Sequence, residues 1–142
     1  MAKVTRDVPI GFERETTGTA VMRFAGGKGG KGSWDPEKWT ANIHEDKWVQ
    51  QFGYKGGLVE APPTTDHMSL LLIDMFGENF YNGGKLSLKL INPMYHGDKL
   101  RFILKVKDKV PEGKNLRIVM DAKIQKEDGT ITGVGTASCL VD

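Results

Sequence analysis

Cysteine is almost missing from this chain. Cys139 is the only one among 142 residues, so neither a disulfide framework nor a cysteine-based metal site can be built. A lone cysteine in a strand-like run is expected to serve as a small buried apolar residue. Long apolar runs are missing as well: the longest, Met68 to Phe76, falls far short of a membrane span and is broken by Asp74. The first residues, Met-Ala-Lys-Val-Thr-Arg-Asp, are polar and carry no signal-peptide core, so a cytoplasmic protein is expected. Nor is there an excess of one charge. Lys and Arg number 20 against 18 Asp and Glu, a net +2, too little to point to nucleic acid.

What remains is an ordinary globular composition, 39% hydrophobic and 27% charged. A chain of 142 residues suits one domain with a real core, and residues 1–142 are read as that single domain. No internal repeat is visible.

Along the chain, Thr16 to Phe24 mixes β-branched and apolar residues and reads as a first strand. The run Gly26-Gly27-Lys28-Gly29-Gly30-Lys31-Gly32-Ser33 cannot hold regular structure. Asp35-Pro36-Glu37 has the pattern of a helix cap followed by proline at the first helical position, which predicts a short helical turn near Trp39. Glu45 to Phe52 reads as another short helix stopped by Gly53. The segment from Pro62 to Phe76 has proline at its start and Gly77 after its end, the frame of a longer helix. Its second half is apolar nearly all round, which predicts burial on several sides.

After this helix the period changes to two. Leu86-Leu88-Leu90, Leu100-Phe102-Leu104-Val106, Leu116-Ile118-Met120-Ala122-Ile124 and Ile131 to Val141 give four strands. Glu127-Asp128-Gly129 makes the hairpin turn between the last two. The pattern predicts an α+β domain, an antiparallel β-sheet wrapped around one central helix at about 62–76.

The candidates for chemistry lie mostly ahead of that helix. The glycine-lysine run fails as a phosphate-binding P-loop, because Lys31 is followed by Gly32 and not by Ser or Thr. Its Lys28 and Lys31 could still meet solvated phosphates from a surface loop. Asn42-Ile43-His44-Glu45-Asp46 places a histidine, able to exchange protons near neutral pH, ahead of a glycine-rich turn through Gly56 and Gly57. Asp66 stands near the head of the helix, where the helix dipole favours a negative charge, and His67 follows it in a leucine-rich setting. Trp34, Trp39, Trp48, Phe52 and Tyr54 cluster in the irregular segment, either lining a pocket or covering the end of the helix. A second block, Asn92-Pro93-Met94-Tyr95-His96-Gly97-Asp98, interrupts the strands with a proline and turns at Gly97-Asp98. His96 in that turn is expected to face solvent.

These two blocks resemble the MaoC-like hot-dog family, the (R)-specific enoyl-CoA hydratases and hydroxyacyl dehydratases, over most of the chain. In that family the loop before the helix reads Gly-Asp-x-Asn-Pro-(Ile/Leu)-His-x-Asp, and its Asp and His position a water and exchange the proton beside the thioester carbonyl. Here Asn42, Ile43, His44 and Asp46 match the end of the motif without its proline. Trp39 stands where the acid belongs, and the nearest preceding acids are Glu37 and Asp35. The resemblance therefore implies His44 as the catalytic base or acid, with Asp35 or Asp66 as its partner. Asn42, Gly57, Thr64, Lys28 and Lys31 are the implied substrate-binding residues. Pro62-Pro63 departs from the family, since proline has no N–H to polarise the thioester carbonyl, leaving Ala61 or Thr64 as the nearest donors.

The resemblance further implies reversible addition of water to an α,β-unsaturated acyl-CoA. No metal and no cofactor are implied, coenzyme A entering only as part of the substrate, and the expected assembly is a homodimer or a multiple of it. Two other readings stay open: a non-catalytic hot-dog subunit that binds acyl-CoA or supports a partner, and a hot-dog thioesterase.

Overall fold

The computed structural model describes residues 3–20, 49–56, 58 and 61–142, the side chains of 61–63 excepted. The expectations for Lys28, Lys31, the turn near Trp39 and the start of the Glu45 helix fall outside them. Val49 and Gln50 are helical, and the turn through Gly53, at φ 89°, follows as expected.

Among the described residues, apart from the helical Val49 and Gln50, five strands and two helices follow one another as β1 (Glu13–Thr19), α1 (Ala61–Phe76), α2 (Glu78–Gly83), β2 (Lys85–Leu90), β3 (Lys99–Glu112), β4 (Asn115–Lys126) and β5 (Ile131–Val141). They form one antiparallel sheet in the order β1-β3-β4-β5-β2. The chain leaves β1 at one edge, returns through α1 and α2, and adds β2 at the opposite edge. That crossing lays α1 over one face of the sheet, the inner face.

The period of two decides which side chains meet the helix. On β4, Ile118, Met120, Ala122 and Ile124 are buried while Asp121 and Lys123 between them are exposed. Phe102, Leu104 and Val106 of β3 and Ala137 and Cys139 of β5 join them, against Met68, Leu71, Leu72 and Met75 of α1. Met68, Leu72 and Met75 are fully buried, each contributing about 1.5–3 kcal/mol through lost contact with water. The helix is dry on one broad side only. Leu70 is 62% exposed, against the burial on several sides that its apolar sequence predicts.

The outer face is wet. Glu15 and Arg101 pair at 2.6 Å, Glu13 and Lys105 at 3.7 Å, and Lys107 and Asp121 at 3.0 Å, contacts worth little singly at an exposed surface. A bulge between Val106 and Asp108 shifts the register and brings Lys109 to the inner side, where its ammonium donates to the Arg6 carbonyl at 2.8 Å. The N-terminal segment closes the far end of α1. Lys3 Nζ donates to the carbonyls of Ile73 and Asp74 at 3.3 and 3.0 Å, and Gly77, at φ 60°, donates to Ile73 at 2.7 Å, satisfying carbonyls that the helix end leaves open.

Burial pushes the Cys139 thiol up to about 12, as expected for an inert core residue. The folded protein should therefore resist thiol reagents at pH 8 and react fully once denatured. Labelling in the native state would contradict this placement. Among the described residues no helix is long and apolar enough to cross a membrane.

Candidate functional site

The head of α1 sits over the β1–β3 side of the sheet and brings two polar residues inward. Thr64 is 2% exposed, and His67, one turn later on the same helical face, is half-buried. The His67 ring lies face to face with Phe102 of β3, centroids 5.0 Å apart and planes 7° from parallel. Its other neighbour is a gap in the sequence of side chains. A Cβ on Gly18 of β1 would stand 2.9 Å from two His67 ring atoms and 3.3 Å from Phe102, so the absence of a side chain there is what admits the imidazole.

Asp66 points the other way. It is exposed, as is Leu70 one turn on, so the carboxylate and the neighbouring imidazole lie on different sides of α1. Proline at 62 and 63 removes two of the early amide donors of the helix, and Thr64 supplies the next N–H in its first turn.

The second sequence block adopts the turn expected of it. Gly97, at φ 91°, donates to Ala20 at 2.7 Å, and Asp98 N–H donates to the Tyr95 carbonyl at 3.0 Å while its carboxylate accepts from Tyr95 N–H at 2.8 Å. Lys126 pairs with Asp98 at 2.9 Å and lies over the Tyr95 ring, 5.1 Å from its centroid. The Tyr95 hydroxyl accepts from Lys55 N–H at 3.4 Å, tying the Gly53 turn to this block. His96 is exposed, as the sequence predicts. Beside the block, Thr17, Gly18, Thr19, Lys99, Leu100, Arg101 and Glu127 line an open groove of about 400 Å³. Two cations, two hydroxyls and one carboxylate give that groove a mixed polar wall.

Of the residues singled out from the sequence, Thr64 and Asp66 are described, and the structure separates them by burial. Asp35, Asn42, His44, Gly57, Lys28 and Lys31 lie outside the described residues. His67 is the imidazole that the fold brings against the sheet. Its leucine-rich helix pointed to an internal residue, but its partners on β1 and β3 left no local signal. No cluster of three metal-binding side chains occurs among the described residues.

No family model and no curated protein matches this sequence. Solved structures do match over nearly the whole chain. The unliganded (R)-hydratase PhaJ1 from Pseudomonas aeruginosa is 19% identical and superposes with a TM-score of 0.65, covering 94% of this chain and 82% of its own. The MaoC-like dehydratase from Rhodospirillum rubrum is 18% identical at a TM-score of 0.67, over 95% of this chain and 93% of its own. This is a hot-dog domain. The fold is also that of the C-terminally truncated HadBC complex from Mycobacterium tuberculosis, a (3R)-hydroxyacyl-ACP dehydratase, 11% identical at a TM-score of 0.62, over 92% of this chain and 96% of that one. Hot-dog domains of this shape thus include hydratases and dehydratases, one of them in a complex of two different subunits.

Proposed function

We propose that this hot-dog protein is an acyl-thioester hydratase or dehydratase that adds water reversibly to an α,β-unsaturated acyl-CoA. The observation that carries the reading is Asn42-Ile43-His44-Glu45-Asp46, standing before the central helix of a fold shared with (R)-hydratases and dehydratases. His44 takes or returns the proton at the carbon beside the thioester carbonyl, and Asp35 or Asp66 holds the water. Asn42 orients the loop or the thioester. The carbonyl oxygen is met at the head of α1 by the Thr64 N–H, displaced from the usual donor by Pro62-Pro63, with Gly57 letting the backbone approach. Lys28 and Lys31 meet the phosphates of coenzyme A, which is part of the substrate, and no further cofactor is needed. The protein acts as a homodimer or a multiple of it, in the cytoplasm.

A second reading rests on two departures, Trp39 in place of the acid and the double proline. Under it the chain binds acyl-CoA, or supports a catalytic hot-dog partner, without hydrating the substrate itself. A thioesterase would need a carboxylate to activate water at the carbonyl, and Asp66 would be its source.

Crotonyl-CoA and a longer enoyl-CoA are expected to bind with a measurable heat, and more weakly as salt is raised, because exposed lysine–phosphate contacts are screened. Calorimetry at two ionic strengths checks this. No heat and no thermal shift with any thioester would remove both readings. Binding without loss of the enoyl absorbance would leave the second.

A further inference from the structure

Over β2 and β5 the outer face of the sheet turns from ion pairs to small hydroxylic side chains. Ser138 of β5 stands between Lys85 of β2 and Val119 of β4, and Thr136 stands beside Ser87 one row on. Their small size leaves a hollow of about 270 Å³. Lys85, Ser87, Thr136 and Ser138 line it, and no carboxylate does.

Ser138 is the unusual member of this set. Its neighbours Ala137 and Cys139 take the inner face, so Ser138 points outward, yet it is only 8% exposed. Arg117, 14% exposed, lies against it. Arg117 Nη1 donates to Ser138 Oγ at 3.0 Å and to the Gly83 carbonyl, at the end of α2, at 2.9 Å. Its Nε and Nη2 donate to Glu112. The guanidinium is therefore held on three sides. A serine hydroxyl has one proton and two lone pairs, and arginine can only donate. Arg117 thus occupies a lone pair of Ser138 and leaves the proton to be given away. Among the described residues no acceptor takes it.

The charges beside the hollow do not cancel. Arg117 and Lys85 face one carboxylate, Glu112, which the Arg117 hydrogen bond above all, with Lys85 assisting, holds below its usual range. The next carboxylate, Asp121 across from Thr136, is taken by Lys107 at 3.0 Å. Hydroxyl and ammonium donors with a surplus of positive charge suit an oxyanion.

We propose that this hollow is a phosphate-binding site. Ser138, set by Arg117, donates its proton to a phosphate oxygen. Lys85 supplies the opposing charge, and the Ser87 and Thr136 hydroxyls complete the wall. The site lies across the sheet from α1, so it does not depend on the hydratase reading. Being open to solvent, it admits either the free ion or a phosphate carried on a small ester.

Amide NMR of the full chain, titrated with inorganic phosphate at constant ionic strength against a chloride control, tests the site. The amides of Lys85, Ser87, Thr136 and Ser138 are expected to shift and saturate with phosphate and to stay still in chloride. Lys85→Gln and Ser138→Ala, made separately, should each weaken binding by roughly tenfold or more, the worth of one hydrogen bond to a charged group. Lys85 is exposed, so Lys85→Gln keeps the fold and carries the test if Ser138→Ala loosens β5. Lys123→Gln, at an exposed position on the same face, should bind as the wild type does. Glycerol phosphate as a second titrant separates the sources: tighter binding than inorganic phosphate points to an ester, equal binding to the free ion, and both support the site. No saturating shift at these amides would overturn the proposal. So would unchanged affinity in Lys85→Gln, or an equal loss in Lys123→Gln.

Discussion

Replacing His44 by alanine is expected to lower turnover of an enoyl thioester by on the order of a hundredfold or more, the usual worth of a general acid or base, while folding and ligand binding stay nearly intact. Its acidic partner is then found by exchanging one oxygen for nitrogen. Asp35→Asn and Asp66→Asn, made separately, should differ: the partner loses a comparable factor and the other stays near wild type. If His44 only bonds the loop backbone, the alanine variant loses about 1 kcal/mol of stability, and activity falls only with the folded fraction. Unchanged hydration kinetics in a well-folded His44→Ala protein would sink the catalytic assignment and put the binding reading in front.

The second large effect is expected at Gly135. A Cβ built there lands on the Ser87 carbonyl oxygen, with the Leu88 Cα at 3.0 Å. These are backbone atoms, and backbone cannot swing aside as a side chain can. Gly135→Ala must push β2 off β5, which should destabilise the domain by roughly 1–3 kcal/mol, the range for overpacking, and weaken any pairing made through β2. Urea denaturation followed by far-UV dichroism measures the first, and light scattering the second. Gly18→Ala makes a useful contrast. There the clash is with the His67 ring, which can rotate away, so the stability loss should be smaller and the main change a displaced imidazole. Wild-type stability in Gly135→Ala would show that β2 does not approach β5 so closely.

The elements legible in the sequence were those whose residues report locally. Alternation of apolar and polar residues marks β2 to β4 because one face of each strand is less exposed than the other. Proline at 62 and 63 and glycine at 77 frame α1, and Gly129, at φ 92°, makes the turn before β5. Strand β1 was expected at Thr16 to Phe24 but begins at Glu13. Its first residues are charged, and their place in the sheet comes from Lys105, Leu104 and Ile103 across the ladder. Helix α2, a short polar stretch, and the bulge at Lys107 had no periodic signal to show. For chemistry, His44 stands out because its motif is contiguous. Thr64 and His67 become part of one inward face only through the curl of α1, and His67 finds its place only because Gly18 and Phe102, remote from it along the chain, come together when β1 pairs with β3. Pattern along the chain determines which face of each element is dry; which faces then meet, and which side chain fits the space between them, is decided by packing between residues that the sequence keeps far apart.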